Sequence, residues 1–336
     1  MPIAPPKVFG RSLVGRSINP VGLGCMSLSW AYGTPPSNAE GAVLLERALE
    51  LGYDHLDTAR IYGLGHNETL IGQALAPYRD KFLLASKTGI IVDGDKRRID
   101  CRPETIRTAL ETSLKLLQTE RIDLYYLHRR DFSVPIEESV GALADLVAEG
   151  KIGGIGLSEM SADTLRAASA AHPIAAMQTE YSAMTRNPEI AVLEACRELG
   201  TTFVAFSPVA RGMLAGGYHG TDGLTPKDLR HTMPRFTGEN WAANAALVAA
   251  FDKIAAREGV TPAQLSLAWV LSRGDHVVTI PGTARLDHLA ENIARWDWAI
   301  PADVAAEIDA LLNRDTVAGE RYSPAMQKTI DTEGFA

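Results

Sequence analysis

The sequence predicts an α/β barrel: eight parallel strands closed into a ring, each followed by at least one helix, with a short hairpin at the amino-terminal end. Three observations carry this. Strand-like apolar runs alternate with segments of helical periodicity from residue 21 to residue 312. The alternation counts to eight, the number of units in a closed parallel barrel. The Gly-x-Gly-x-x-Gly turn that would mark an open dinucleotide-binding sheet is missing after the first strand, where Cys25-Met26-Ser27 stands instead. Gly153-Gly154-Ile155-Gly156 lies inside a predicted strand and is a poor substitute. With 336 residues, 46% of them apolar and 22% charged, the chain can bury the core of one barrel domain spanning residues 1–336.

In chain order, residues 7–20 are short, polar and broken by Gly10 and Gly15, which fits a hairpin able to plug one barrel end. Residues 21–24 form the first strand, and Ser37 or Asn38 caps a helix whose Val43, Leu44, Ala48 and Leu51 share a face. The second strand centres on Leu56, with a helix over 67–75; the third covers 82–86. Pro103, favoured in a first helical turn, opens a helix carrying Ile106, Leu110, Leu114 and Leu117 at helical spacing. Strand 124–127 precedes a helix over 136–149, and strand 152–157 one over 161–171. Strand 174–177 leads to a helix over 188–199 that Gly200 closes as a left-handed cap. After strand 202–206 comes a Gly-rich loop over 207–240, long enough to be expected to have a functional role. Helices over 241–258 and 262–273, strand 277–280, helices over 285–294 and 302–312 and a tail over 313–336 complete the chain.

Composition narrows the function. A net charge of −8 leaves no overall basic surface for nucleic acid or an anionic membrane, so a small-molecule substrate is expected. Cys25, Cys101 and Cys196 are far apart, without zinc-type spacing, and read as reduced buried thiols; no metal is expected. The first seven residues carry no apolar signal core, and no later run approaches the ~20 apolar residues of a membrane span. A cytoplasmic location is expected; monomer and homo-oligomer remain equally open.

The chemistry gathers at strand exits. Asp57 and Tyr62 follow the second strand, Lys87 the third and His128 the fourth, so parallel neighbours would bring four titratable groups together at one barrel mouth. Taken singly, each has a plainer use as a cap, a packing ring or a solvated charge. Jointly, a phenol beside an ammonium can release a proton, a buried carboxylate keeps the ammonium charged, and an imidazole can donate to the same acceptor. On this reading the neighbouring cation lowers the Tyr62 pKa. A carbonyl oxygen whose carbon receives a hydride is the natural client.

These residues bring the chain into resemblance with the aldo-keto reductases over almost its whole length. Asp57-Thr58-Ala59 with Tyr62-Gly63, Ser86-Lys87 and Leu127-His128-Arg129 look like the family's catalytic tetrad. Asn67-Glu68, Gly150-Lys151-Ile152, Ile155-Gly156-Leu157-Ser158 and Ala205-Phe206-Ser207-Pro208 agree with its other signatures. The resemblance implies Tyr62 as general acid, Lys87 and Asp57 as its tuning pair, and His128 as the carbonyl orienter. It also implies a bound NADPH, with NADH possible because Gly282 stands where many relatives carry Lys. Ser158 and Gln178 would hold the carboxamide, Phe206 would stack on the nicotinamide, and Gly24, Met26 and Asp57 would lie alongside. Ser207, Pro208, Arg211, Gly212 and Leu214 would follow the pyrophosphate, their backbone amides facing it. Gly282, Thr283, Arg285, His288, Glu291 and Asn292 would form the adenine and 2'-phosphate pocket, where an Arg fork suits a phosphate dianion.

Within that family the long 207–240 loop and separate helix after it resemble the longer prokaryote- and plant-type members. The expected substrate wall is Trp30, Tyr32, Tyr62, Ile90, Ile91, His128 and Arg129, with Tyr322, Met326 or Phe335 from the tail covering the mouth or meeting another subunit. It would admit a simple aldehyde or a bulkier ketone. Two other classes of function compete with reduction. A non-catalytic, cofactor-sensing protein of the same fold sits poorly with an intact set of four groups. A metal-dependent barrel hydrolase would need ligands that the first strand does not offer.

Overall fold

The computed structural model describes residues 10–94 and 96–335, so residues 7–9 of the expected hairpin and the last residue of the tail lie outside it. Among the described residues, eight parallel strands follow one another around a ring: Leu23–Gly24, His55–Asp57, Leu83–Thr88, Leu124–Leu127, Ile155–Ser158, Ile174–Glu180, Thr202–Phe206 and Val277–Ile280. The ring closes where Gly22 N donates to Thr279 O at 2.8 Å and Gly24 N to Pro281 O at 3.1 Å. The expected (β/α)8 barrel is the observed one.

Local sequence accounts for several helix ends. Ser37 and Glu40 exchange a capping box at the start of Asn38–Leu51. Pro103 opens Pro103–Leu117, whose Ile106, Leu110, Leu114 and Leu117 are buried on one face. Gly200, at φ 67°, closes Val192–Leu199. That last helix is shorter than its apolar pattern suggests, because Pro188 lies in a separate 3-10 turn, Asn187–Glu189. The fifth strand begins only at Ile155; Ile152 makes an isolated bridge to Ile122. The third runs on to Thr88, so Lys87 lies within it. The loop after Phe206 contains three 3-10 turns, Ala210–Gly212, Leu229–Thr232 and Pro234–Phe236. The sequence reading also missed a second hairpin, Ile90–Asp93 with Lys96–Ile99, although Asp93-Gly94 is a turn signal.

Two cores result. Between sheet and helices, outward side chains such as Leu56, Tyr125, Leu127, Leu157 and Met177 pack against the helical faces. Inside the barrel, Leu83, Ala85, Leu124, Tyr126, Ala176, Val204, Val278 and Ile280 meet Leu13 and Ile18 of the amino-terminal hairpin, Arg11–Leu13 with Arg16–Ile18. The hairpin is anchored at that end of the barrel: Arg11 Nη1 donates to Val277 O at the start of the eighth strand, and Arg16 Nη1 donates to Phe82 O, just before the third, at 3.2 Å. One end of the barrel is therefore plugged, and the other carries the strand exits. Among the described residues, no helix is long and apolar enough to cross a membrane.

Candidate active site

The two-residue period of a strand decides what reaches the open end. Leu83 and Ala85 point into the barrel, so Lys87 does too; Tyr126 points in, so His128, just past the strand, follows; Ala176 leads to Gln178 and Val204 to Phe206. Asp57, Tyr62, Lys87 and His128 all converge there and are all buried. Lys87 Nζ bonds Asp57 Oδ1, donates to Thr58 O at 2.9 Å and lies 3.4 Å from the Tyr62 hydroxyl. Asp57 Oδ2 accepts from Gln178 Nε2 at 2.8 Å. The Tyr62 and His128 rings stand edge to face with centroids 6.0 Å apart. Asn67 explains why the intervening loop holds its shape: its buried amide donates to Cys25 O and to Ser29 Oγ, each at 2.8 Å.

Burial sets the protonation states. It raises the Tyr62 phenol above its usual value, and the opposing pull of Lys87 is the smaller effect, so the sequence-based expectation of a lowered pKa is corrected. Burial would lower Lys87, but Asp57 and Tyr62 together carry it above the ordinary ammonium value. His128 is held well below the usual imidazole range by burial and then by Arg129, Lys87 and Arg97, which leaves it neutral. At neutral pH the site thus presents a protonated phenol, a charged amine and a neutral imidazole.

These groups open on a cavity of about 600 Å³ that runs across the mouth to the loop after the eighth strand. Gly24, Met26, Ser158, Gln178, Phe206, Ser207 and Pro208 line its middle. Gly282, Thr283, Arg285, His288, Glu291 and Asn292 line the far end, and Trp30, Tyr32, Tyr62, Ile90, His128 and Arg129 the near end, with Tyr322 and Met326 of the tail. Leu214 is fully buried away from the cavity, and Ile91 does not line it. Gly212 N and Leu214 N both donate to Val209 O, at 3.0 and 3.1 Å, so those amides are used within their own turn instead of facing an anion. That turn is strained, with Ser207, Ala210 and Arg211 all at φ near 50°. Arg285 directs its fork onto Asp287 Oδ1 and Oδ2 at 3.0 and 2.5 Å. Phe335 is exposed, beside Arg314.

One group escaped the sequence reading. Glu159 and Glu180, at the exits of the fifth and sixth strands, are buried against Arg321 and Arg211. Arg321 Nη1 donates to Glu159 Oε1 at 2.9 Å, and Arg211 Nη2 to Glu180 Oε2 at 2.7 Å. Tyr32 and Tyr322 accept from Arg211 at 3.0 and 3.2 Å. A carboxylate directly after Ser158, and another two residues after Gln178, were the available signals.

Comparison with known proteins shows the family. The family model described as "Aldo/keto reductase family" matches residues 20–313. A soybean (Glycine max) protein named "Probable aldo-keto reductase 1" is 42% identical over 310 residues, covering 92% of this chain and 89% of its own. Among solved structures, a glycerol dehydrogenase from Gluconobacter oxydans superposes with a TM-score of 0.83 at 27% identity, over 94% of this chain and 97% of that one. An aldo/keto reductase from Klebsiella pneumoniae, in complex with NADP and acetate, gives 0.70 at 25% identity, over 95% and 99%. The chain belongs to the aldo/keto reductase family, whose members are NAD(P)H-using oxidoreductases acting on small carbonyl compounds.

Proposed function

We propose that this protein reduces an aldehyde or ketone to the alcohol with NADPH, Tyr62 supplying the proton. The supporting observation is the hydroxyl of Tyr62 at the cavity wall, 3.4 Å from Lys87 Nζ and beside His128. A dinucleotide suits the rest of the cavity by its chemistry: the half-buried Phe206 ring offers an aromatic platform, with Ser158 and Gln178 as polar groups on adjacent strand exits. A nicotinamide held there would supply the hydride. Tyr62 gives its proton to the carbonyl oxygen, and the phenolate left behind is stabilised by Lys87, whose charge Asp57 maintains. Neutral His128 donates an N–H to the same oxygen and orients it. Gln178 fixes Asp57 through its second oxygen. NADPH is favoured over NADH because Arg285 can exchange its exposed partner Asp287 for a phosphate dianion.

The test is an absorbance assay at the reduced nicotinamide band, run with NADPH and with NADH over a panel of aldehydes and ketones. The expected result is faster turnover with NADPH and a loss of ~10²-fold or more in kcat for Tyr62→Phe, with cofactor affinity retained. Cofactor binding without turnover across the panel would sink the proposal.

A further inference from the structure

Charge is distributed unevenly along the cavity. Five arginines line it: Arg97, Arg129, Arg211, Arg230 and Arg285. Three are neutralised, Arg211 by Glu180, Arg230 by Asp228 and Arg285 by Asp287. Arg97 and Arg129 have no carboxylate partner among the described residues. Asp100, three residues from Arg97, is already bonded to Arg98 and Arg102; Asp131, two residues from Arg129, accepts from Cys101 N and from Ser133; and Glu159, which faces Arg129, is held by Arg321. Lys87 is balanced by Asp57. In a chain of net charge −8, the space in front of Tyr62 and His128 therefore carries two uncompensated positive charges.

Both are positioned for an incoming ligand. Arg97 stands on the second strand of the hairpin overhanging the mouth, its guanidinium 5.2 Å from the Trp30 ring centroid, so an aromatic face supports the fork at the rim. Arg129 follows His128 directly and donates to His128 O at 2.6 Å through Nη1. Burial and the charge of Arg129 together hold Arg97 below the usual guanidinium range. These residues sit at the exits of the third and fourth strands, across the ring from the loops after the seventh and eighth. They accordingly face the substrate end and not the Arg285 end.

We propose that Arg97 and Arg129 form an anion subsite that selects carbonyl substrates bearing a carboxylate. The proposal rests on the reading of Tyr62 as proton donor and names the substrate class for that same site. A carboxylate accepts two parallel N–H bonds from one guanidinium and a further one from its neighbour, while its charge relieves the repulsion between them.

The experiment uses the full chain with NADPH and compares 4-carboxybenzaldehyde, 4-methylbenzaldehyde and 4-formylphenyl phosphate. The readout is the ratio of kcat/KM for the acid over the methyl compound. The expected wild-type ratio is about tenfold or more, falling by roughly tenfold in Arg97→Gln or Arg129→Gln and falling also with added salt. A ratio near one in the wild type, or unmoved in both variants, overturns the proposal; a tenfold preference for the phosphate over the carboxylate overturns the carboxylate assignment. If no aldehyde turns over, it is the reductase reading that fails. Calorimetric titration of benzoate against benzamide then decides the subsite: benzoate binding lost in the double variant supports it, and equal binding of the two ligands overturns it.

Discussion

Tyr62 is a proton donor whose surroundings argue in opposite directions. Burial favours the neutral phenol and Lys87 favours the phenolate, and burial is the larger effect. The group therefore stays protonated through neutral pH, as reduction requires. Carbonyl reduction should run level from about pH 6 to 9 and fall only above the ordinary phenol value of about 10, where the proton is lost. Alcohol oxidation needs the phenolate and should rise over the same alkaline range. Lys87→Met removes the pull toward the phenolate, so both limbs should move to higher pH while kcat for reduction drops. A merely structural role for Lys87 would lower the rates without moving the limbs, and pH-rate profiles in both directions distinguish the two.

At the scale of strands and helices, the interior of the barrel depends on one missing methyl. A Cβ on Gly156 would lie 2.2 Å from the Tyr126 ring, and that ring lies beneath Lys87, its centroid 5.8 Å from Nζ. Gly156→Ala must displace Tyr126 and should cost about 1–3 kcal/mol of stability, read as a fall in Tm, with activity lost as the site shifts. Adding Tyr126→Leu to make room should recover most of the Tm; no recovery would mean that the clash is not the cause. What the sequence made legible at this scale was whatever one segment determines alone. Pro103, Ser37 and Gly200 mark helix ends because a fixed φ, a side-chain acceptor and a left-handed residue act locally. The four groups at the strand exits were legible for the same reason, since a two-residue period and a parallel order suffice to bring them together. The hairpin over Ile90–Ile99 was overlooked because its strands pair only with each other and carry no apolar alternation on the charged Lys96-Arg97-Arg98 side. The Glu159 and Glu180 cluster was illegible because its partners come from distant segments, and no local pattern announces an arginine 162 residues away.

Across the whole molecule, that cluster binds the end of the chain to the barrel mouth. Arg321 fastens the tail to Glu159 and, within the tail, donates to Thr332; Asp331 accepts from Ser161 and Thr164 at the start of helix Ala162–Ala171, and Tyr322 and Met326 complete the cavity wall. The tail is therefore part of the pocket. Burial alone would raise the pKa of Glu159, but Arg321 reverses this and holds the carboxylate below its usual value. A depressed carboxylate contributes stability above its unfolded pKa of about 4.3 and loses it as the pH falls through the folded value. Arg321→Met leaves Glu159 buried without its partner, and breaking a buried pair in this way costs about 3–5 kcal/mol. In the variant the carboxyl would rather hold its proton, so its folded pKa now lies above the unfolded one and the penalty applies only where Glu159 is ionised. The Tm deficit against wild type should thus be largest at pH 7 and narrow as the pH falls toward 4. Glu159→Gln combined with Arg321→Met should remove that pH dependence. A deficit independent of pH would show that Arg321 acts through packing alone, and that the ion pair does not hold the tail in place.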